Sequence, residues 1–162
     1  MLRLALHTRL TAGAILVAVL VGPAVGARAD EPPPQGYTDA DLNGGYACDL
    51  SGTLGRARAV GVAQFRPQGD GTFGAAVLGL NVGGLGVCLY SLNPGTGTYE
   101  MRPDGTGLAQ ATYSLQPKSA KGCPAVFPIH LAFATTGAGG TCDIATLDPG
   151  VLLGGTCKKQ DR

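Results

Sequence analysis

Apolar and polar residues alternate at period two along most of the chain after residue 44, a pattern typical of half-buried β-strands. In residues 127–134 the large apolar side chains stand at every second position, namely Phe127, Ile129, Leu131 and Phe133. No window in this part shows an apolar stripe at helical spacing. The pattern therefore predicts an all-β fold of eight or nine strands. We place them at about residues 44–52, 57–66, 72–82, 86–92, 97–102, 107–115, 125–134, 142–147 and 151–157.

Turn sequences separate the predicted strands. Asp70-Gly71 and Asp104-Gly105 reach positive φ at low cost, and the Asp-Pro-Gly of residues 148–150 closes a third hairpin. A weak repeat of residues 63–76 at residues 97–111 is explained by two similar hairpins. Short connections favour an antiparallel up-and-down barrel of eight or nine strands, or a sandwich. We expect the barrel, because closure removes the exposed edges that a glycine-rich sheet would have to protect.

The N-terminal region reads as an export signal. Residues 1–29 carry two early arginines, a short apolar run at residues 10–21 and an Ala-Arg-Ala end, so we expect cleavage before Asp30. The run is too short for a membrane-spanning helix, although an uncleaved N-terminal anchor is the alternative. Residues 30–43 are polar and proline-rich and predict a disordered leader. Residues 44–160 then form one barrel domain, secreted or periplasmic, with no membrane segment after cleavage.

Cleavage also changes the net charge. It removes three of the 12 Lys and Arg residues and none of the 11 acids, so the charge goes from +1 to about −2. Binding to a phosphate backbone rests on clustered basic residues, and the one basic pair is Lys158-Lys159 near the C-terminus. We therefore expect no nucleic-acid partner.

Five cysteines follow the export signal: Cys48, Cys88, Cys123, Cys142 and Cys157. In an exported chain they predict two disulfides and one remaining thiol, either buried or used to join a second chain. A two-residue loop at Pro149-Gly150 would place Cys142 directly opposite Cys157, close to disulfide reach. Pairing of Cys48 with Cys157 is the competing arrangement, because the first and last strands of a barrel meet. The spacing contains no zinc-binding pattern, so we expect no metal.

Several short segments resemble a family of small secreted bacterial proteins described as lipocalin-like β-barrels of uncharacterised function. They are GGYACDLSG (residues 44–52), the hairpin at residues 65–72, GTYEMRPDGTG (residues 97–107) and the closing LLGGTCKKQ (residues 152–160). The resemblance spans roughly residues 44–160 and implies a barrel. It carries no catalytic residues.

Candidate catalytic groups are few. His130 is the one histidine after the signal peptide, and the alternation around it places it on the outer face of its strand. Glu100 is predicted to point outward as well. No nucleophile motif accompanies them, so we expect no cofactor and a binding protein rather than an enzyme. A barrel enzyme of the cyclase or isomerase kind would need one of these groups inside.

Inward aromatic residues suggest the first hypothesis for function, which is binding of a small apolar ligand inside the barrel. The proposed lining residues are Tyr46, Phe65, Tyr99, Tyr113 and Phe133. The alternative is an extracellular protein–protein interaction module, such as an inhibitor or an envelope component, that works through its loops and leader.

Overall fold

The computed structural model describes residues 36–137 and 139–160, and the predicted signal peptide and residues 30–35 lie outside this part. The described residues form nine strands and one short 3-10 helix, Asp39–Asp41. The strands are β1 (Tyr46–Leu54), β2 (Ala57–Pro67), β3 (Phe73–Val82), β4 (Gly86–Leu92), β5 (Thr98–Met101), β6 (Thr106–Leu115), β7 (Val126–Thr136), β8 (Thr141–Thr146) and β9 (Val151–Lys159). All nine predicted strands are confirmed, with small shifts at their ends.

The strands form one antiparallel sheet in the order β4-β3-β2-β1-β9-β8-β7-β6-β5. A further pairing of β4 with β6, with Ser91 opposite Ser114, closes eight strands into a barrel. The extra strand, β5, is short and pairs with β6, with Tyr99 opposite Ala109. The predicted antiparallel barrel is therefore confirmed, with eight strands in the closed wall.

Two of the predicted turns have the same geometry. The Asp70 carboxylate accepts hydrogen bonds from the backbone N–H and the hydroxyl of Thr72, at 3.0 and 2.7 Å. Asp104 accepts the same pair from Thr106, at 2.9 and 2.7 Å. In both turns the two hydrogen bonds lower the pKa of the aspartate. The bond from the threonine hydroxyl has the larger effect, and the bond from the threonine backbone N–H has the smaller one. The short internal repeat thus corresponds to two equivalent turns.

Residues 36–43 were predicted to belong to a disordered leader, whereas the structure packs them against one end of the barrel. Leu42 is buried in the core, and the Asp39 carboxylate accepts a 2.8 Å hydrogen bond from the backbone N–H of Met101. Tyr37 donates its backbone N–H to the carbonyl of Pro103. A single buried leucine and these backbone contacts order a segment whose polar composition suggested disorder. We call residues 36–43 the N-terminal strap.

Two disulfides join distant parts of the barrel. Cys48–Cys157 links β1 to β9, and Cys88–Cys123 links β4 to the β6–β7 connection. Cys142 is the free cysteine, and it is 3% exposed. The register predicted for the β8–β9 hairpin is confirmed, since Cys142 lies opposite Cys157. The disulfide nevertheless forms between Cys157 and Cys48, which lies directly opposite Cys157 on the other neighbouring strand, β1.

Two disulfides are compatible with an oxidising compartment such as the periplasm or the extracellular space. No helix in the described part of the chain is long and apolar enough to cross a membrane.

Candidate functional site

Aromatic side chains fill the barrel end that the N-terminal strap covers. The Tyr46 and Phe65 rings stack with centroids 5.3 Å apart. Phe65 meets Phe73 edge to face at 5.7 Å, and Phe73 contacts Tyr99 at 5.1 Å. These spacings are those of favourable aromatic pairs. The row therefore packs as a core in which each ring contacts the next.

The five residues proposed to line a ligand site all take part in the barrel interior. Tyr46, Tyr99, Tyr113 and Phe133 are buried, and Phe65 is half-buried against them. Tyr46 and Phe65 lie directly opposite each other on β1 and β2. Tyr99 joins this pair only through Phe73, which was not among the proposed residues.

A small cavity of about 40 Å³ remains between these side chains. Its walls are almost wholly apolar. Among the lining residues are Leu42 of the strap together with Phe65, Phe73, Tyr113, Phe133 and Cys142. One water needs about 10–15 Å³ by the same measure, so the space equals a few waters. Typical ligand pockets are several hundred Å³, so this cavity is about a tenth of the usual size.

The tyrosine hydroxyls in this interior are bonded to the backbone. Tyr46 donates to the carbonyl of Gly139. Tyr99 accepts the N–H of Gly69 at 3.0 Å and donates to the carbonyl of Leu42 at 3.0 Å. Burial, with smaller effects of Cys142 and Tyr99, raises the pKa of Tyr46 to about 12. These hydroxyls are therefore neutral and tie the strap and nearby turns to the barrel.

The middle of strand β2, residues 59–63, reverses the usual pattern of large residues inside and small or polar residues outside. Its inward positions include Ala59 and Gly61, whereas Val60 and Val62 point outward and are 55% and 58% exposed. A Cβ on Gly61 would lie 2.1 Å from the backbone carbonyl oxygen of Gly79 in the neighbouring strand and 2.8 Å from the Leu80 side chain, so this inward position requires glycine. The period-two alternation does not predict this reversal. The run of small residues at alternate β2 positions was the available signal.

The outward apolar residues continue across two neighbouring strands. Val62 lies opposite Gly79 of β3, which lies opposite Leu89 of β4. Val77 and Val87, on the same side, are 45% and 48% exposed. None of the outward residues in the centre of this surface is charged. We call it the outer β2–β4 face: Val60, Val62, Gln64, Val77, Gly79, Asn81, Val87, Leu89 and Ser91.

The outer side of β7 carries a second feature, in which Asp148 holds His130. One carboxylate oxygen lies 2.6 Å from the His130 Nδ1, and the other accepts the His130 backbone N–H at 2.6 Å. Partial burial works to raise the pKa of Asp148, but the two hydrogen bonds and the charge of His130 lower it overall. His130 is 55% exposed, and Glu100 is also exposed. Both therefore lie outside the barrel, as the alternation predicted.

Among the residues that the structure describes, no group of three or more His, Cys, Asp or Glu side chains is arranged to hold a metal ion. Comparisons with protein-family models, with curated proteins and with solved structures found no match to this chain. The fold defines the chain as an eight-stranded antiparallel β-barrel with a packed aromatic interior.

Proposed function

We propose that the chain is an exported interaction protein that binds another protein surface through the outer β2–β4 face. The observation that carries the proposal is the exposure of four valines on three adjacent strands with no charge between them: Val60, Val62, Val77 and Val87. The solvent-facing side of an antiparallel sheet is ordinarily polar, so such a surface is typical of a binding site. The nearly filled interior supports the outer surface as the working part.

Export is part of this proposal. It is supported by the two disulfides and by the signal-like residues 1–29. The intact mass of protein recovered from outside the cytoplasm should correspond to a chain that begins at Asp30 and contains two disulfides. A mass that includes residues 1–29 would contradict the proposed cleavage.

Site-specific photo-crosslinking in the native host tests the binding surface. A photoreactive residue in place of Val62 should give a discrete protein adduct. The matched control is Leu152, which is 68% exposed on β9, away from the face. Equal adducts from both positions, or none from Val62, would contradict the proposal. The mass of the adduct also reports whether the bound protein is a copy of this chain.

A second candidate function is binding of a small apolar ligand. It is supported by the apolar cavity, which Phe65, Tyr113 and Phe133 line together, and by the lipocalin-like resemblance. The cavity would accept a ligand of only a few heavy atoms. Leu42→Ala should enlarge it, and benzene should then raise the thermal midpoint of the variant more than that of the wild type. Equal responses of the two proteins would count against a usable interior site.

A further inference from the structure

Three inward cysteines lie side by side on adjacent strands of the barrel. Cys157 of β9 is directly opposite Cys48 of β1 on one side and directly opposite Cys142 of β8 on the other. All three are buried, with 3% exposure or less. Cys48 and Cys157 form a disulfide, whereas Cys142 is a thiol. The side chains therefore form a row across the sheet, with a thiol next to a disulfide. We call it the cysteine row.

The backbone hydrogen bonds of β9 explain which pair carries the disulfide. Lys159 donates its N–H to the carbonyl of Gly140, on the β8 side. Alternate residues of a strand bond to the same neighbour, so Cys157 also bonds towards β8. It is then the non-hydrogen-bonded partner of Cys48, and such pairs hold their side chains closer together than hydrogen-bonded pairs do. Cys48 is thus the nearer partner of Cys157, and Cys142 is the second.

We propose that this disulfide is exchangeable, with the Cys142 thiol taking the place of Cys48 as the partner of Cys157. The thiol of Cys142 loses its proton to water or hydroxide, and the thiolate attacks the Cys157 sulfur. The Cys142–Cys157 bond forms as the Cys48–Cys157 bond breaks, and Cys48 leaves as a thiolate that takes up a proton. One thiol and one disulfide are present before and after the step, so no oxidant or reductant is consumed.

The order of the cysteine row suits this displacement. Exchange requires a thiolate to attack one sulfur of a disulfide while the other sulfur leaves. Because β8 and β1 lie on opposite sides of β9, Cys142 approaches Cys157 from the side away from Cys48. The leaving sulfur is therefore not in the path of the attacking one. Cys157 is the shared residue of both disulfides.

Cys142 also has space beside it. It lines the apolar cavity of about 40 Å³, and neither Cys48 nor Cys157 is among the lining residues. A side chain in a filled core is held in one rotamer, whereas a side chain beside a void can turn about its Cα–Cβ bond. The cavity therefore gives the Cys142 sulfur the freedom to turn that the exchange requires.

Burial limits the rate of the exchange. It raises the pKa of Cys142 to about 12, and Asp143 of the same strand adds to this effect. The Tyr46 hydroxyl of β1 also interacts with the thiol, and it is neutral because burial raises its own pKa to about 12. The reactive thiolate is therefore scarce at neutral pH, and its fraction rises about tenfold with each pH unit. The exchange should be slow at pH 7 and faster in base.

Exchange changes what the disulfide holds together. The Cys48–Cys157 bond joins the first and last strands, across 109 residues of the chain. A Cys142–Cys157 bond would join only the two strands of the β8–β9 hairpin. A short loop restricts the unfolded chain less than a long one, so the exchanged form should be the less stable. The cysteine row is thus a switch that releases β1 from β9 without loss of a disulfide. It operates independently of the outer β2–β4 face.

Thiol mapping of the purified, oxidised protein tests the proposal. Samples kept at pH 7, 8 and 9 are quenched in acid, unfolded and alkylated at acidic pH, and peptide mapping identifies the alkylated cysteine. Alkylation should start at Cys142, and a fraction at Cys48 should then appear, about tenfold faster for each pH unit. Because Cys48 is the nearer partner of Cys157, this fraction should stay on the order of 1–10% of chains. Alkylation of Cys142 alone at every pH would overturn the proposal.

Three controls separate this exchange from general scrambling. Cys142→Ser removes the attacking thiol, so Cys48 should stay unalkylated in this variant. Cys88 and Cys123 should remain bonded to each other throughout. The rate should also be independent of protein concentration, because the attack is within one chain. Alkylation of Cys48 in Cys142→Ser, links from Cys142 to Cys88 or a concentration-dependent rate would show a different route and would overturn the proposal.

Discussion

Asp148 is a turn residue whose carboxylate ties β7 to the β8–β9 connection. It contacts both the ring and the backbone of His130, and its carbonyl accepts the N–H of Val151 to close the turn. In the sequence, Asp148 is recognisable as a turn residue and His130 as a surface residue, with nothing to connect them. Their contact depends on the register of β7 with β8, so it became visible only in the folded barrel.

We expect Asp148→Asn to destabilise the protein at neutral pH, because it removes the charge that holds His130. The effect should be at most about 1 kcal/mol, because the contact is near the surface. The pKa of Asp148 is lower in the folded protein than the value of about 3.9 that it has in the unfolded chain. The carboxylate therefore stabilises the fold above the unfolded-state pKa, and this stabilisation is lost as the pH falls through the folded-state pKa. Chemical denaturation at pH 7 and pH 2 measures this. The difference between wild type and variant should disappear in acid.

Asp49→Asn is the control for this measurement, because Asp49 is exposed and has no side-chain hydrogen bond to a described residue. It should change the unfolding free energy much less than Asp148→Asn at pH 7. An Asp148→Asn effect of equal size at both pH values would contradict the assigned role of the carboxylate.

Strand β9 is needed to close the barrel, because it lies between β1 and β8 and carries the buried Cys157. Two glycines, Gly154 and Gly155, follow one another in it. A Cβ on Gly155 would lie 1.9 Å from the carbonyl oxygen of Asp49, whereas one on Gly154 would meet nothing closer than 3.4 Å. Adjacent positions in one strand thus differ sharply in the space they leave.

Gly155→Ala should therefore destabilise the barrel by about 1–3 kcal/mol or more, because backbone on β1 has to move. Gly154→Ala is the matched control and should have a much smaller effect. Urea unfolding of both variants gives the comparison. Similar midpoints for the two would show that β1 and β9 are not packed as closely as described.

Cys157 lies opposite a cysteine on each neighbouring strand, Cys48 on β1 and Cys142 on β8, so loss of Cys48 leaves it a second possible partner. Because Cys142 is directly opposite Cys157 on β8, the variant should form a Cys142–Cys157 disulfide during oxidative folding. Peptide mapping without reduction detects it. Free Cys142 and Cys157 in a folded variant that retains Cys88–Cys123 would contradict this.

Burial raises the pKa of Cys142 to about 12, with a smaller effect of Asp143, so its thiolate is rare in the folded protein. The control, Cys142→Ala, should keep the Cys48–Cys157 bond. A dimer linked through Cys142, which the odd number of cysteines left open, would require this residue to leave the core.

The whole molecule is held closed by strand pairing and by two covalent links. Cys48–Cys157 joins residues 109 apart, and Cys88–Cys123 joins residues 35 apart. Cross-links over long stretches restrict the unfolded chain most, and loss of a native disulfide typically costs about 2–5 kcal/mol.

We expect a reductant to lower the thermal midpoint by roughly 10 °C or more. Calorimetry with and without reductant measures this change, and mass spectrometry verifies that both disulfides are reduced. An unchanged midpoint in the fully reduced protein would show that the disulfides contribute little to stability.

The sequence by itself determined the nine strands, the turns at Asp70, Asp104 and Asp148, and the register that sets Cys142 against Cys157. These are local properties, because period-two alternation and turn residues act over a few neighbours. The outward position of Glu100 and His130 followed from the same alternation.

The tertiary structure decided which face of β2 points inward, which cysteine bonds to Cys157 and how the N-terminal strap lies. Each of these depends on closure of the barrel, which brings together strands far apart in the chain and leaves limited space inside. In β2 the inward position of Gly61 has no room for a Cβ, whereas Val60 and Val62 point outward and form the apolar outer face that the sequence pattern did not predict.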